Sequence, residues 1–318
     1  MSIHIPHITD RDIREHVTYR HAMTALKDAV LGDVDPATDF PRQILELDDR
    51  KQLLFMPSQS SKWMGTKLIS VNPLNYRRGL DRVQGVYLLM DFDTTTPRAI
   101  IDGSELTELR TAAMSMVIAD AILPRDARTV MLFGYGAQAR AHLLALKELR
   151  PSLKEVVVTG RNQVKAEMFA ANAAEHGWDA RIGAARSPES TIPQADVILT
   201  VTGAGEPLFD TSRVKPGTLV MAIGSHDPDR RELEPELLGR SHVIVEDRNT
   251  ALREAGDVAM AIAEGTLSDD DLIELHDFVR NPEMVTRDRP IVYKSVGMSW
   301  QDLAVAAEIY QRVPQGRR

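Results

Sequence analysis

The sequence of 318 residues contains no cysteine. This absence excludes a disulfide framework, zinc sites built on thiolates and a cysteine nucleophile. A chain without cysteine is typical of a reducing compartment.

Excess positive charge and long hydrophobic runs are also absent. The chain has 38 Lys and Arg against 46 Asp and Glu, a formal charge of −8. This balance argues against nucleic acid as a partner, because phosphate binding needs a basic surface. The longest apolar run, residues 112–123, is interrupted by Asp120 and is too short to cross a bilayer. The N-terminus has no apolar stretch of signal-peptide length, so we expect a cytoplasmic protein without a membrane partner.

The chain is long for one hydrophobic core, and its pattern changes near Pro124. Residues 9–31 predict one or two helices. Short strand-like segments separated by turn residues in 40–101 predict an antiparallel sheet, with a hairpin loop at 91–97. A helix is predicted over 104–123, where apolar residues recur at helical spacing and Pro124 ends it.

From Arg128 onward, apolar runs alternate with helices, which is typical of a parallel sheet covered on both faces. The predicted strands lie near 129–134, 155–160, 180–182, 196–203, 218–224 and 242–247. After about residue 289 we predict a loop and one long helix that cross back to the first domain. The predicted fold class is therefore α/β, with a doubly wound sheet in 124–293 inserted into a domain formed by 1–123 and 294–318.

A glycine-rich turn follows the first of these strands and opens a helix. It has the pattern Gly134-x-Gly136-x-x-Ala139, in which the first glycine allows the tight turn and the second lets the backbone approach a pyrophosphate. A tight turn that binds nothing is the alternative interpretation. We assign five further residues to the same cofactor site: Ala137, Gln138, Thr200, Val201 and Thr202.

The end of the second strand bears on the choice between the two nicotinamide cofactors. An NAD site usually has an acid there to hold the ribose hydroxyls, whereas arginine accommodates a 2′-phosphate. This chain has Thr159, Arg161 and Asn162 and no acid at that point. NADP(H) is favoured, NAD(H) is possible, and the alternative for Arg161 is a solvated residue at a helix start.

Three basic residues stand out in the first domain of this acidic chain. Arg42 precedes a strand, Lys67 lies within an apolar strand, and Arg110 begins the apolar part of a helix. Two guanidinium groups and an ammonium can converge on one carboxylate. Taken singly, Arg42 can equally belong to a surface ion pair and Lys67 can extend its amine from the strand to water.

His226 and Asp227 directly follow the strand predicted at 218–224. Loops at the carboxyl ends of strands line the ligand crevice of a doubly wound sheet, so either side chain can exchange a proton with a substrate nitrogen. The alternative for both is a solvated turn. We interpret the charged residues that follow as surface charges: Asp229, Arg230, Arg231 and Glu232.

Together these features resemble the ornithine cyclodeaminase/mu-crystallin family over nearly the whole chain. The matching segments, in order, are GTKLISVNP (65–73), DGSELTELRTAA (102–113), GYGAQARAH (134–142), ADVILTVTGAGEPLF (195–209), VKPGTLVMAIGSHDPDRREL (214–233), EAGDV (254–258) and YKSVGMSWQD (293–302).

The resemblance implies a Rossmann domain inserted into a substrate-binding and dimerisation domain whose sheet joins that of a second copy. It implies that Lys67 and Arg110, and plausibly Arg42, hold the substrate carboxylate. It also implies that Ser295 and Gly297 border the nicotinamide. No metal site is predicted.

Two departures from the cyclodeaminase pattern favour the reductase branch of the family. His226 stands where the cyclodeaminase has aspartate, with Asp227 displaced by one, and Leu54 and Phe55 precede Met56-Pro57 where it has glutamate. Those acids would hold the distal ammonium of ornithine.

We therefore predict an NAD(P)H-dependent oxidoreductase, a homodimer, that acts on a small α-imino or α-amino acid. Lys67 and either His226 or Asp227 are its predicted catalytic residues. The alternatives are an ornithine or lysine cyclodeaminase that uses bound NAD+ and releases ammonia, and a non-enzymatic NADPH-bound ligand carrier.

Overall fold

The computed structural model describes residues 5–32, 34–48, 51–176, 178 and 188–314, apart from the side chain of residue 76. The strand predicted at 180–182 lies outside them. The chain divides into two compact units, Met1–Met114 with Gly297–Arg318 and Ser115–Val296. The division falls within a continuous helix, whereas the sequence pattern places the boundary at the end of that helix.

The first unit is built on a six-stranded sheet in the order β1-β6-β5-β4-β3-β2. Its strands are β1 (His7–Ile8), β2 (Gln43–Glu46), β3 (Gln52–Gln59), β4 (Trp63–Val71), β5 (Val83–Asp91) and β6 (Pro97–Asp102). All neighbours are antiparallel except β1 and β6. The predicted antiparallel sheet is confirmed, and the hairpin loop joins β5 to β6 as predicted.

The helices of this unit accompany the sheet, and one of them, the last, packs directly on its strands. They are α1 (Asp10–His16), α2 (Tyr19–Leu31), the first part of α3 (Gly103–Ile122) and α11 (Ser299–Arg312). Thr9 and Thr18 each cap a new helix, so residues 9–31 form two helices rather than one. Helix α11 packs against α2, β3 and β4, which buries the face of α11 that carries Asp302.

The second unit is built on a seven-stranded sheet in the order β12-β11-β13-β10-β9-β7-β8. Its strands are β7 (Thr129–Phe133), β8 (Glu155–Thr159), β9 (Val197–Thr200), β10 (Leu219–Ala222), β11 (His242–Val245), β12 (Leu272–Glu274) and β13 (Ile291–Lys294). Every pairing is parallel, as predicted. The apolar runs fill the strands because helices cover both faces.

The helices of the second unit follow the strands along the chain. They are α4 (Ala137–Leu149), α5 (Gln163–Glu175), α6 (Pro188–Thr191), α7 (Pro235–Gly239), α8 (Arg248–Glu254), α9 (Gly256–Ala263) and α10 (Leu275–Arg280). The chain passes from β7 to β8 on one side and then returns to β9 on the other side of β7. Ligands of doubly wound sheets bind at such a switch point.

One element of the second unit differs from the sequence expectation. Residues after 289 were expected to form a loop outside the repeat, but Ile291–Lys294 is a buried strand between β10 and β11. The expectation is wrong because these four apolar-rich residues pair with strands distant in sequence. No helix in the described ranges is long and apolar enough to cross a membrane.

Candidate functional site

A cavity of about 520 Å³ opens in the second unit where β7, β8 and β9 end. Six of the predicted cofactor-binding residues line it: Gly134, Gly136, Thr159, Arg161, Val201 and Thr202. These residues come from three separate segments, and the switch point of the sheet brings them together. The cavity therefore lies where the glycine turn predicts a dinucleotide.

The two glycines of the turn have different geometric roles. Gly134 has φ of 115°, and a Cβ there would lie 2.8 Å from the carbonyl oxygen of Val201, so only glycine fits. At Gly136 a Cβ would meet no atom of the described residues within 4 Å. The space beside Gly136 is open to a pyrophosphate, and α4 begins there without a side-chain cap, at a helix N-terminus of the kind that binds anions. The residues present fit a dinucleotide.

The other predicted cofactor residues do not line this cavity. Asn162 caps α5, its Oδ1 accepting from the N–H of Lys165 at 3.0 Å. Thr200 is fully buried and donates to Glu232, while Ala137 and Gln138 open α4. Ser295 is buried and donates to Glu246 at 2.9 Å. In the described structure these residues begin helices or make hydrogen bonds outside the cavity lining.

The sequence-based interpretation of Arg230 and Glu232 as surface charges is wrong. Arg230, expected to be a plain surface charge, lines the cavity and donates from Nη1 to the carbonyl of Gly203 at 3.3 Å. Glu232 is not a surface charge, because its side chain turns inward and is completely buried. Nothing in the local run of charges distinguishes Glu232 from its exposed neighbours.

A cluster of buried charges lies in the first unit, between β4, α3 and α11. Lys67 Nζ lies 2.8 Å from Asp302 Oδ1 and 2.7 Å from Oδ2. Arg110 donates from Nε to Asp302 Oδ1 at 3.0 Å and from Nη1 to Gln301 Oε1 at 2.9 Å. The sequence predicted the two cations; the shared acid Asp302 was missed.

Arg42 joins this cluster through Gly297. Its Nη2 donates to the carbonyl of Gly297, whose φ is 77°. A Cβ at residue 297 would lie 2.4 Å from Arg110 Nη1, so glycine is required for Arg110 to reach its place. All three predicted cations are thus brought together in one unit, and Gly297 lies against Arg42 and Arg110. We call Arg42, Lys67, Arg110 and Asp302 the cationic cluster.

Burial controls the charge of Lys67, which is 1% exposed. Burial, with Arg110 and Arg42 adding to it, lowers the pKa of Lys67 to about 7, against the opposing pull of Asp302. Lys67 therefore changes charge close to neutrality. Within the described ranges, Lys67 and Arg110 form ion pairs only with Asp302.

Asp39 is a second acid near the cationic cluster. Its Oδ2 accepts from the backbone N–H of Trp300 at 2.8 Å, and its Oδ1 accepts from Ser58 at 2.8 Å. Burial raises the pKa of Asp39 to about 6, and the charge of Asp302 adds to this rise. Within the described residues, the buried side chains of Lys67 and Arg110 thus share the carboxylate of Asp302, and the carboxyl group of Asp39 lies nearby.

His226 and Asp227 lie in the second unit, in the loop that follows β10, and both are half-buried. The carbonyl of Asp227 accepts from the N–H of Arg230 at 3.2 Å. Their position after a strand end is as predicted. Their predicted role in proton exchange stays a prediction.

The sequence profile of the ornithine cyclodeaminase/mu-crystallin family matches residues 8–317. The chain belongs to this family. Its Δ1-pyrroline-2-carboxylate reductase from Bacillus cereus is 30% identical over 271 residues, covering 83% of this chain and 82% of that protein. Ketimine reductase mu-crystallin from Rattus norvegicus is 32% identical over 252 residues, covering 79% of this chain and 77% of that protein.

Solved structures of the ornithine cyclodeaminase/mu-crystallin family share the fold. The Δ1-pyrroline-2-carboxylate reductase of Thermococcus litoralis, in complex with NADH and L-proline, matches with a TM-score of 0.88 and 25% identity over 97% of both chains. In the present chain, Leu54 packs with Ile69 and Val71 in an apolar cluster. An acid at residue 54 would lie in this apolar cluster.

Proposed function

We propose that the protein is an NADPH-dependent reductase of small cyclic α-imino acids, of which pyrroline-2-carboxylate is the first to test. The observation that carries this proposal is the cationic cluster, in which the buried side chains of Lys67 and Arg110 share one carboxylate. The names of the Bacillus cereus and Rattus norvegicus relatives point to the same substrate class.

The cationic cluster suits a substrate carboxylate. Two buried cations that share one carboxylate are costly in a medium of low dielectric constant, and an incoming carboxylate relieves that cost. Arg110 and Arg42 offer guanidinium donors, and Lys67 adds an ammonium charge. Fixing the carboxylate also fixes the C=N bond of the ring, which is what a hydride transfer needs.

The imine nitrogen must carry a proton for the reduction, because an iminium accepts hydride better than a neutral imine. Lys67, with its pKa near 7, holds a proton that it can release close to neutral pH. His226 and Asp227 are the other candidates for this step. A bound nicotinamide supplies the hydride when the cofactor is present.

NADPH is the proposed cofactor because of Arg161. It follows β8, lines the cavity beside Thr159, and is exposed at the point where an NAD site usually has an acid. Arg230, on the opposite segment of the same cavity, adds a second positive charge for phosphate. The reducing cytoplasm, which suits a chain without cysteine, is the proposed location.

The test is a spectrophotometric screen of NADPH and NADH oxidation with pyrroline-2-carboxylate, piperideine-2-carboxylate, and pyruvate with amines. We expect rapid oxidation of NADPH with at least one cyclic imino acid. Ammonia release from ornithine or lysine without reduced cofactor would instead identify a cyclodeaminase. Cofactor binding with no turnover of any compound would identify a ligand carrier.

A homodimer is also proposed, and the outer face of the six-stranded sheet supports it. Alternate residues of β4 and β5 point away from the helices, and four of them are apolar and incompletely buried: Met64, Leu68, Val86 and Leu88. A second copy of the chain would cover this face. Light scattering should give a dimer for the wild type and a monomer for Val86→Arg with Leu68→Asp; a wild-type monomer would refute the proposal.

A further inference from the structure

We propose that Glu232 is a positioning residue that shapes the dinucleotide cavity without touching the cofactor. Its carboxylate accepts four hydrogen bonds from the ends of two neighbouring strands. Oε1 accepts from the N–H and Oγ1 of Thr202 at 2.8 and 2.7 Å. Oε2 accepts from Thr200 Oγ1 and the N–H of Gly224, each at 2.9 Å.

These bonds fix two loops at once. The segment after β9, which includes Thr202, lines the cavity from Val201 to Glu206. The segment after β10 includes Gly224 and His226. A Cβ at residue 224 would lie 2.2 Å from the carbonyl oxygen of Thr202 and 2.6 Å from Glu232 Oε1, so the loops and the carboxylate are in close contact. Both loops therefore depend on one buried anion.

A buried lysine and a second acid complete the support. Lys294 is 2% exposed, and its Nζ lies 3.0 Å from Asp257 Oδ2 and donates to the carbonyl of Ser225 at 2.5 Å. Asp257 Oδ1 accepts from the N–H groups of Glu232 and Leu233 at 2.7 and 2.9 Å. Burial raises the pKa of Glu232, and the charge of Lys294 and the hydrogen bonds from Thr202 oppose that rise. The ends of β9, β10 and β13 and the start of α9 are joined in this way.

An acceptor with four bonds cannot be replaced by an amide of the same shape. In Glu232→Gln, an NH2 group replaces one oxygen and faces two donors, at least one of which is a backbone N–H that cannot turn away. That N–H is left without a partner, and the loop must move to satisfy it. The cavity that the loop lines should then fit the dinucleotide less well.

This inference rests on the proposed cofactor site, so the first arm of the test measures wild-type binding of NADPH and NADH by fluorescence. Glu232→Gln should weaken the binding of both cofactors by a similar factor, on the order of tenfold. Thr200→Val, which removes one donor and lies outside the cavity lining, should weaken both by about threefold.

The control is Leu275→Ala, a truncation of a fully buried residue in α10, remote in sequence from both loops. The midpoint of its thermal unfolding should fall. Its dissociation constants for NADPH and NADH, measured well below that midpoint, should match those of the wild type. Unchanged cofactor binding in folded Glu232→Gln and in Thr200→Val would overturn the inference. Wild-type protein that binds neither cofactor would instead refute the proposed function.

Discussion

The two units bury clusters of charge with opposite balances. In the first, Lys67 and Arg110 share the single carboxylate of Asp302. In the second, Glu232 and Asp257 surround the single ammonium of Lys294. Both clusters are almost completely removed from water.

What differs is how the excess charge is compensated. The excess carboxylate of the second unit is satisfied from within, because Glu232 accepts four hydrogen bonds and Asp257 accepts two from backbone N–H groups. In the first unit, the described partners of Lys67 and Arg110 are the one carboxylate of Asp302 and the amide oxygen of Gln301. We infer that the second cluster holds loops in place, whereas two cations that share one carboxylate are suited to bind another.

The largest effect is expected from removing the acid of the first cluster. Asp302→Asn removes the carboxylate that the buried side chains of Lys67 and Arg110 share, which should lower the free energy of unfolding by about 3–5 kcal/mol. Asp257→Asn should lower the free energy of unfolding by less. Lys294 keeps the nearby charge of Glu232, and the amide oxygen still accepts hydrogen bonds from the backbone. Denaturant unfolding measures both. An equal or larger loss for Asp257→Asn would show that the two clusters do not differ as described.

The next effect is a dependence of carboxylate binding on pH. A bound carboxylate favours protonated Lys67, whose pKa in the free protein is about 7. The inhibition constant of pyrrole-2-carboxylate should therefore be flat below about pH 7 and rise by up to about tenfold per pH unit above it. Lys67→Met should bind more weakly with no such rise. A wild-type profile that is flat up to about pH 9 would contradict this role of Lys67.

The smallest effect concerns the choice of cofactor in the second unit. Arg161→Ser should lower the preference for NADPH over NADH on the order of tenfold, because a guanidinium that neutralises the 2′-phosphate is lost. The affinity for NADH and the thermal midpoint should stay close to those of the wild type, since Arg161 is exposed. An equal loss of affinity for NADPH and NADH would show that Arg161 does not bind the 2′-phosphate.

Much of the fold could be predicted because local pattern determines it. The continuous apolar runs of the second unit indicate buried parallel strands, and Gly134 follows the first of them as a dinucleotide turn requires. The pattern failed at Ile291–Lys294, because the place of a strand in the sheet order depends on pairing with β10 and β11. That pairing cannot be recognised from the residues of the strand alone.

The site was predictable only in part, for the same reason. Lys67 and Arg110 are conspicuous as cations in apolar segments, but their partner Asp302 is 235 and 192 residues away in the sequence. Glu232 lies in a run of charged residues where only the tertiary contacts with Thr202 and Gly224 decide which side chain is buried. Sequence therefore predicted the charges to be compensated, but not the groups that compensate them.

The central claim is that the cationic cluster recognises a carboxylate, and the most direct test compares two rings that differ only in that group. The wild type should reduce pyrroline-2-carboxylate with a kcat/KM at least about a hundredfold higher than that for 1-pyrroline. In Lys67→Met, with NADPH affinity unchanged, most of this preference should disappear through loss of activity on the carboxylated ring. A variant that keeps the full preference would contradict the claim.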